Sequence, residues 1–321
     1  MIKPILLCAG LCAMALVVAA NDAQATGSNQ VSYVSNTGSD SNGCTNPTTD
    51  ACATFSGALT NTASNGEIDC VNAGHYGDVF VIQQSVTIDC AGAVGFTAGQ
   101  ILVNGAGIVV RLRNLSINGG GDGHYGITGV NVAALYVENC VITNYNAAVA
   151  ANPPYYGIHF DPSANAQLFV TNSIISNDGS GGVTGGIYIV PASSVTANVV
   201  IDGSQINGNV FGIVGDGRQG GIVRGTIKNS VVSGSTENGV TALSSGSSVL
   251  FMLDQTEVTG NGAAGLFASG SGAGILARNT SVFKNGIGLD AASGAGLVSY
   301  GNNSVAGNTT NGAFTATVSQ Q

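Results

Sequence analysis

One phrase recurs through this chain, and its spacing restricts the fold more than any other feature. "NCVITN" (Asn139 to Asn144) returns further on as "NSIISN" (Asn172 to Asn177). Aligned on the central aliphatic residue, variants of the phrase stand at Ile117, Ile142, Ile175, Ile206, Val232, Val258, Val282 and Val305. Successive positions differ by 25, 33, 31, 26, 26, 24 and 23, and a period in the twenties marks a solenoid. Ahead of each phrase, apolar residues alternate with period two, as in Val110/Leu112, Leu135/Val137, Leu168/Val170 and Val199/Ile201. That is the period of a strand. The heptad-like spacing of helical repeats and the L-x-x-L-x-L of leucine-rich repeats are both absent.

A second column follows each phrase, a glycine before an apolar residue: "YGITG", "YGIHF", "GGIYI", "FGIVG", "NGVTA", "AGLFA", "IGLDA" and "NGAFT". Each repeat therefore predicts one coil of strand, turn, strand and turn. Coils stacked ~4.8 Å apart bury their alternate side chains in a common interior, and about ten of them make a rod on the order of 50 Å long. In such a stack Asn114, Asn139, Asn172, Asn229 and Asn279 occupy equivalent turns, where an amide can bond the neighbouring coil. The residue before each turn reads Arg113, Glu138, Thr171, Asp202, Lys228, Asp254 and Arg278, which predicts a solvated charge ladder rather than a catalytic set. Only 8% of residues are charged and the net charge is −9 without a basic patch, which argues against nucleic acid and anionic membranes as partners.

Residues 1–25 read as an export signal: Lys3, an apolar run from Ile5 to Ala20, then Ala23-Gln24-Ala25 as a cleavage site, with Val18-Ala19-Ala20 as a second candidate. The run is shorter than the ~20 residues a membrane-spanning helix needs, so no membrane span is expected and the protein is placed in the periplasm or outside the cell. Residues 26–66 are expected to form an entry segment with a capping helix over Cys52 to Ala63, where Phe55 and Leu59 share one face. Residues 67–321 form the coils. Export permits disulfides. Cys44 and Cys52 can close a short loop. Cys70 and Cys90 each end an "IDC" tripeptide and fall at equivalent places in consecutive coils, close enough to bond. Cys140 is read as lying in the same column two coils beyond, a buried free thiol. With no C-x-x-C and no nearby His, no metal site is expected.

The repeated N-S/C-x-[IV]-x-x-N with its following x-G-I resembles the right-handed parallel β-helix repeat of the pectin-lyase-like superfamily. The stretch from Tyr33 to Cys90 resembles the entry module of exported bacterial members, in which Y-V-x-x-x-G-x-D precedes the capping helix and a G-x-Y turn. The resemblance covers residues 33 to 318 and implies an all-β, single-domain parallel β-helix. It leaves activity open, because the superfamily includes polysaccharide lyases, glycoside hydrolases and adhesins. Polygalacturonase-like hydrolases pair Asp residues with G-H-G and R-I-K; here no two Asp are adjacent, "GDGHYG" places Tyr125 after His124, and R-I-K does not occur. Pectate-lyase-like elimination needs clustered carboxylates holding Ca²⁺ and an Arg or Lys base, whereas the 17 acids of this chain are scattered. Ca²⁺ enters only under that alternative; otherwise no cofactor is expected.

One constellation remains. The two longest coils hold "NPPYYGIHFDP" (Asn152 to Pro162), with "GDGHYG" before and "VGDGRQGG" (Val214 to Gly221) after. Counted from the interior column, His159 and Tyr188 share one outward position, and Asp161 and Asp216 share another two coils apart. Aromatic side chains with a few polar partners suit sugar rings. His124, Tyr125, Tyr155, Tyr156 and Tyr188 are therefore the candidate ligand-binding residues. If the chain is an enzyme, His159 or Arg218 is the base and Asp161 and Asp216 are the acids. Two functions follow: a non-catalytic exported rod that binds glycan or builds the cell surface, and a carbohydrate-active enzyme working at the mid-rod loops.

Overall fold

The computed structural model describes residues 27–319 apart from 94, 98, 122–124 and 147–154. The expected export signal lies outside the described residues. Three parallel sheets form the walls of a right-handed β-helix: sheet A with twelve strands, sheet B with ten and sheet C with nine. A mid-rod coil runs through Ala134–Glu138 in sheet A, Val141–Thr143 in sheet B and Tyr156–Phe160 in sheet C. Every strand pairs with its equivalent in the next coil. Ile117, Ile142, Ile175, Ile206, Val232, Val258, Val282 and Val305 pair in that order, as the repeat predicts. All but Val305 are fully buried. The last member of the second column differs. Ile287 bridges Thr310, so "NGAFT" falls one residue out of the expected alignment, and residues 311–314 form no strand.

The asparagines of the opening phrase bracket a three-residue strand of sheet B, and both take left-handed backbone. Asn139 and Asn144 have φ of 55° and 65°, Asn172 and Asn177 of 49° and 58°, and Gly203 and Gly208 fill the same two corners in the next coil. Left-handed backbone costs most L-residues ~1–2 kcal/mol, while Gly and Asn visit it readily. At the first corner the side-chain rungs run to carboxylates: Asn114, Asn229 and Asn279 donate to Asp89, Asp202 and Asp254 at 2.7, 2.9 and 3.1 Å. At the second corner they run amide to amide, from Asn177 to Asn144 at 2.6 Å and from Asn144 to Asn118 at 3.1 Å.

One residue further in, each corner carries a buried ladder that the sequence reading did not foresee. After the first corner, the N–H groups of Cys140, Ser173 and Ser204 donate to the hydroxyls of Ser173, Ser204 and Ser230 at 3.1–3.2 Å. After the second, Asn209, Asn261, Asn285 and Asn308 donate Nδ2 to the carbonyls of Ile175, Val232, Val258 and Val282 at 3.0–3.3 Å. Both ladders satisfy backbone groups where the chain turns and leaves the sheets.

The glycine column has a steric cause. A Cβ on Gly212 would stand 2.6 Å from Val232 Cγ1 and 2.4 Å from the Gly239 carbonyl oxygen, and one on Gly157 would stand 2.8 Å from Ile175 Cγ2. The chain enters sheet C hard against the β-branched stack of sheet B, so no side chain fits there.

On the outside the charge column pairs rung by rung from Arg113 to Arg278. Arg113–Glu138 at 2.5 Å, Lys228–Asp202 at 3.0 Å and Arg278–Asp254 at 2.5 Å are ion pairs.

Cys44–Cys52 and Cys70–Cys90 are disulfides with Cα separations of 5.0 and 4.6 Å. Such bonds persist in oxidising compartments, which agrees with an exported protein. Cys140 is free and buried, and burial pushes its thiol up to about 12. Its column needs correction. The register Asp89–Arg113–Glu138 puts Asn114 and Asn139 in line with Cys90, and Cys140 stands one residue on, at the head of the hydroxyl ladder.

The helix spans Phe55–Asn61, shorter than expected. Thr54 caps it by accepting from Gly57 N at 3.0 Å, and Phe55, Ala58 and Leu59 are buried over the first coil. Strand Asn29–Val34 covers the same end of sheet A. At the other end Phe314 packs on the core, a cap the sequence reading missed, and Ala316–Thr317 adds a last short strand.

Candidate functional site

Sheet C presents an outward face in the two longest coils, and there the sequence candidates partly converge. Register places Tyr125 beside Tyr156, and Thr128, His159 and Tyr188 in one row. Because the strands are parallel and in register, the rings lie over one another. Tyr156 stacks on Tyr188 with centroids 4.8 Å apart and planes 4° apart. His159 lies 5.2 Å from Tyr125 and 5.8 Å from Tyr188, stacked with both. The result is a three-layer ladder of Tyr125, then Tyr156 with His159, then Tyr188. Such pairs add ~0.5–1.5 kcal/mol each beyond area burial.

Asp216 and Arg218 close the ladder. Arg218 donates Nε and Nη2 to the Asp216 carboxylate at 2.9 and 2.6 Å, and the Tyr188 hydroxyl donates to the same carboxylate at 2.7 Å. The Arg218 backbone N–H also reaches Asp216 Oδ1 at 3.0 Å, an Asx turn written in the sequence as Asp-Gly-Arg. Burial alone would raise the Asp216 carboxyl, but the hydrogen bonds from Arg218 and Tyr188 outweigh it and hold the group below its ordinary range.

These contacts bear on the enzymatic assignment. Arg218 is a clamped cation, raised above its ordinary range by the hydrogen bond to Asp216, which disfavours it as a base. Asp216 is 3% exposed and already saturated with donors, so it holds no proton to give. His159 is held neutral among the rings, its pKa lowered to about 4 by burial. Asp161 stands apart, half-buried, its carboxyl raised by desolvation. Register carried one residue beyond Phe160–Ile189–Gly215 sets it two coils from Asp216, ~10 Å by coil rise. The carboxylates of inverting hydrolases sit ~6.5–9.5 Å apart and those of retaining enzymes closer.

Tyr155 is 1% exposed, so its ring packs rather than faces solvent. Tyr156 is also largely covered, its hydroxyl donating to the Val183 carbonyl at 2.7 Å. His124 lies outside the described residues. The sequence reading missed Thr128, beside His159 in the register and hydrogen-bonded to Gln100 Nε2 at 2.8 Å. Its signal was available, one residue past the interior Ile127 in "YGITG". Among the described residues, no three His, Cys, Asp or Glu side chains lie close enough to hold a metal ion. No described helix is long and apolar enough to cross a membrane.

No protein-family model and no curated protein sequence matches the chain. Among solved structures it is similar to the crystal structure of pectate lyase Pel9A, with a TM-score of 0.59 and 14% identity, over 86% of this chain and 76% of that one. At that identity the likeness speaks for the fold alone. With three in-register parallel sheets and this structural neighbour, the chain has the right-handed parallel β-helix fold of the pectin-lyase-like type.

Proposed function

We propose that the chain is an exported, non-catalytic β-helix that binds glycan on the outer face of sheet C, at Tyr125, His159 and Tyr188, with Tyr156 packed beneath them. The observation that carries this reading is that Asp216 is clamped by Arg218 and His159 is packed in the ring stack, which leaves Asp161 as the candidate outside such contacts among the described residues. Asp216 is neutralised by Arg218, and His159 is a neutral member of a ring stack. Rings stacked along the rod use their faces on one another, and the Tyr188 hydroxyl already donates to Asp216, so ring edges and the hydroxyl oxygen as an acceptor are what the face offers a ligand. That favours hydrogen bonds to sugar hydroxyls over face-on stacking of a pyranose. This face belongs to the two longest coils of the sequence repeat, and insertions in solenoids are where binding loops are usually placed.

The second reading, a carbohydrate-active enzyme, rests on Asp161. Its carboxyl is raised and accepts no hydrogen bond among the described residues, the condition of a general acid. A polysaccharide panel separates the two, with binding followed by affinity electrophoresis and turnover by reducing ends and by the ultraviolet absorbance of unsaturated products. We expect retardation by at least one glycan without turnover, weakened by Tyr125→Ala and by His159→Gln. Turnover that Asp161→Asn abolishes would establish the enzyme instead, and no retardation by any glycan would remove the binding reading.

A further inference from the structure

The outer face of sheet A carries a second feature, unrelated to the sheet C site. Two residues before each charged rung stands an outward side chain, and these pair in register along the rod as Tyr136, Phe169, Val200, Thr226, Met252 and Leu276. Tyr136 and Phe169 stack at 4.5 Å, with Arg111 over the Tyr136 ring. Further along, the row opens into a groove of about 490 Å³ lined by Val200, Thr226, Leu250, Met252 and Leu276, with Asn198 and Arg224 at its edge. Asn198, Arg224, Leu250 and Gly274 form the adjacent outward row. Leu250 is 43% exposed and leans across the place where Gly274 has no side chain, its Cδ2 2.8 Å from an added Cβ.

Arg224 is the unusual member. Among the described residues Arg111, Arg113, Arg218 and Arg278 each hold a carboxylate, whereas Arg224 is exposed with no acid beside it. In a chain of net charge −9, one unneutralised guanidinium over an apolar groove calls for an anion. The volume falls within the ~300–1,000 Å³ of small-ligand pockets, and an apolar lining with a few orienting polar groups is their usual composition.

We propose that this groove binds a small organic anion with an apolar body. Its carboxylate pairs with the Arg224 guanidinium and the Asn198 amide, and its hydrocarbon lies over Leu250, Met252 and Leu276. Arginine suits the role because its planar fork matches a carboxylate with two parallel hydrogen bonds.

The chain's composition supplies the probe. Of three methionines, Met1 and Met14 precede the described residues, so Met252 is the one in the described structure, and it lines the groove. With the full chain labelled at methionine methyl carbons, and Met252→Leu used to assign the signal, decanoate is titrated by NMR. The expected result is a saturable shift of the Met252 methyl. Arg224→Gln and Leu250→Ser, both at exposed positions, are each expected to raise Kd about tenfold or more, as loss of a charge-assisted pair or of apolar cover implies. Decyltrimethylammonium, with the same chain and opposite charge, is expected to bind at least about tenfold more weakly than decanoate. Absence of a shift, an unchanged Kd in Arg224→Gln, or equal binding of the cation would overturn the proposal. A dimer in sedimentation that Leu250→Ser dissociates would show that a second copy covers the groove, and would overturn it too. None of these readouts involves the sheet C residues.

Discussion

Asp178→Asn is expected to stabilise the protein at neutral pH, for a reason the inner amide ladder makes quantitative. Asp178 occupies the rung before Asn209: Tyr145 N donates to its Oδ1 at 2.9 Å, just as Asp178 N donates to Asn209 Oδ1 at 2.9 Å. Asn209 then donates Nδ2 to the Ile175 carbonyl. One coil back that carbonyl belongs to Ile142, and Asp178 presents Oδ2, a buried oxygen with no hydrogen-bond partner. An oxygen facing a carbonyl needs a proton, and burial raises this carboxyl well above its ordinary value of 3.8. Tyr145 is the titratable neighbour, itself raised by burial and by Asp178, so it offers no compensating charge. The wild type therefore either keeps the proton or buries a charge.

Keeping the proton at pH 7 costs at most about 4 kcal/mol, at ~1.4 kcal/mol for each pH unit above 3.8. An orphaned buried polar atom costs at least about 1 kcal/mol. Asparagine removes either term and completes the rung, so the gain lies between those bounds, about 2–8 °C in Tm at roughly 2 °C per kcal/mol for a chain of this size. The sign with pH follows from the direction of the shift. A carboxyl raised in the folded state contributes fully below the unfolded value of 3.8 and loses that contribution as pH rises. Thermal unfolding by circular dichroism, run on both proteins from about pH 4 to about pH 7, is expected to show a gap that opens upward. A variant no more stable at neutral pH, or a gap that does not change with pH, would refute the ladder argument.

Three further outcomes follow. His159, lowered to about 4 by burial, stays neutral in the fold while the unfolded chain takes up a proton near 6.5; stability is therefore expected to fall as pH drops from 6.5 towards 4, and His159→Phe to flatten that slope in the same unfolding assay. An imidazole NMR titration centred near 6.5 would contradict the buried stack. Replacing Cys70 and Cys90 by Ser releases a loop of sequence separation 20 and is expected to cost about 3 kcal/mol by denaturant titration. Gly212→Ala drives a Cβ into Val232 Cγ1 and the Gly239 carbonyl and is expected to cost about 1–3 kcal/mol, whereas Asn172→Gly, at a corner with φ of 49°, is expected to change stability little.

The coil order, the interior column from Ile117 to Val305, the charge ladder and the Cys70–Cys90 bridge were legible in the sequence, because a stacked coil repeats its environment at every turn and so repeats its residues. The corner asparagines were legible as recurrent, but their left-handed backbone is a property of the folded chain. What only the tertiary structure decided is which polar groups meet. Asp216 and Arg218 read as two independent chemical groups and prove to be one clamped pair. His159 read as a candidate base and Tyr125 as an open ligand-binding ring, and the two prove to be layers of one stack. No sequence pattern marked Asp178, which is an interior rung, or Arg224, which is the arginine without an acid partner among the described residues and lines an apolar groove. Periodicity reports only what every coil shares. Pairing between side chains depends on distances of a few ångströms across coils, and those distances differ from one coil to the next.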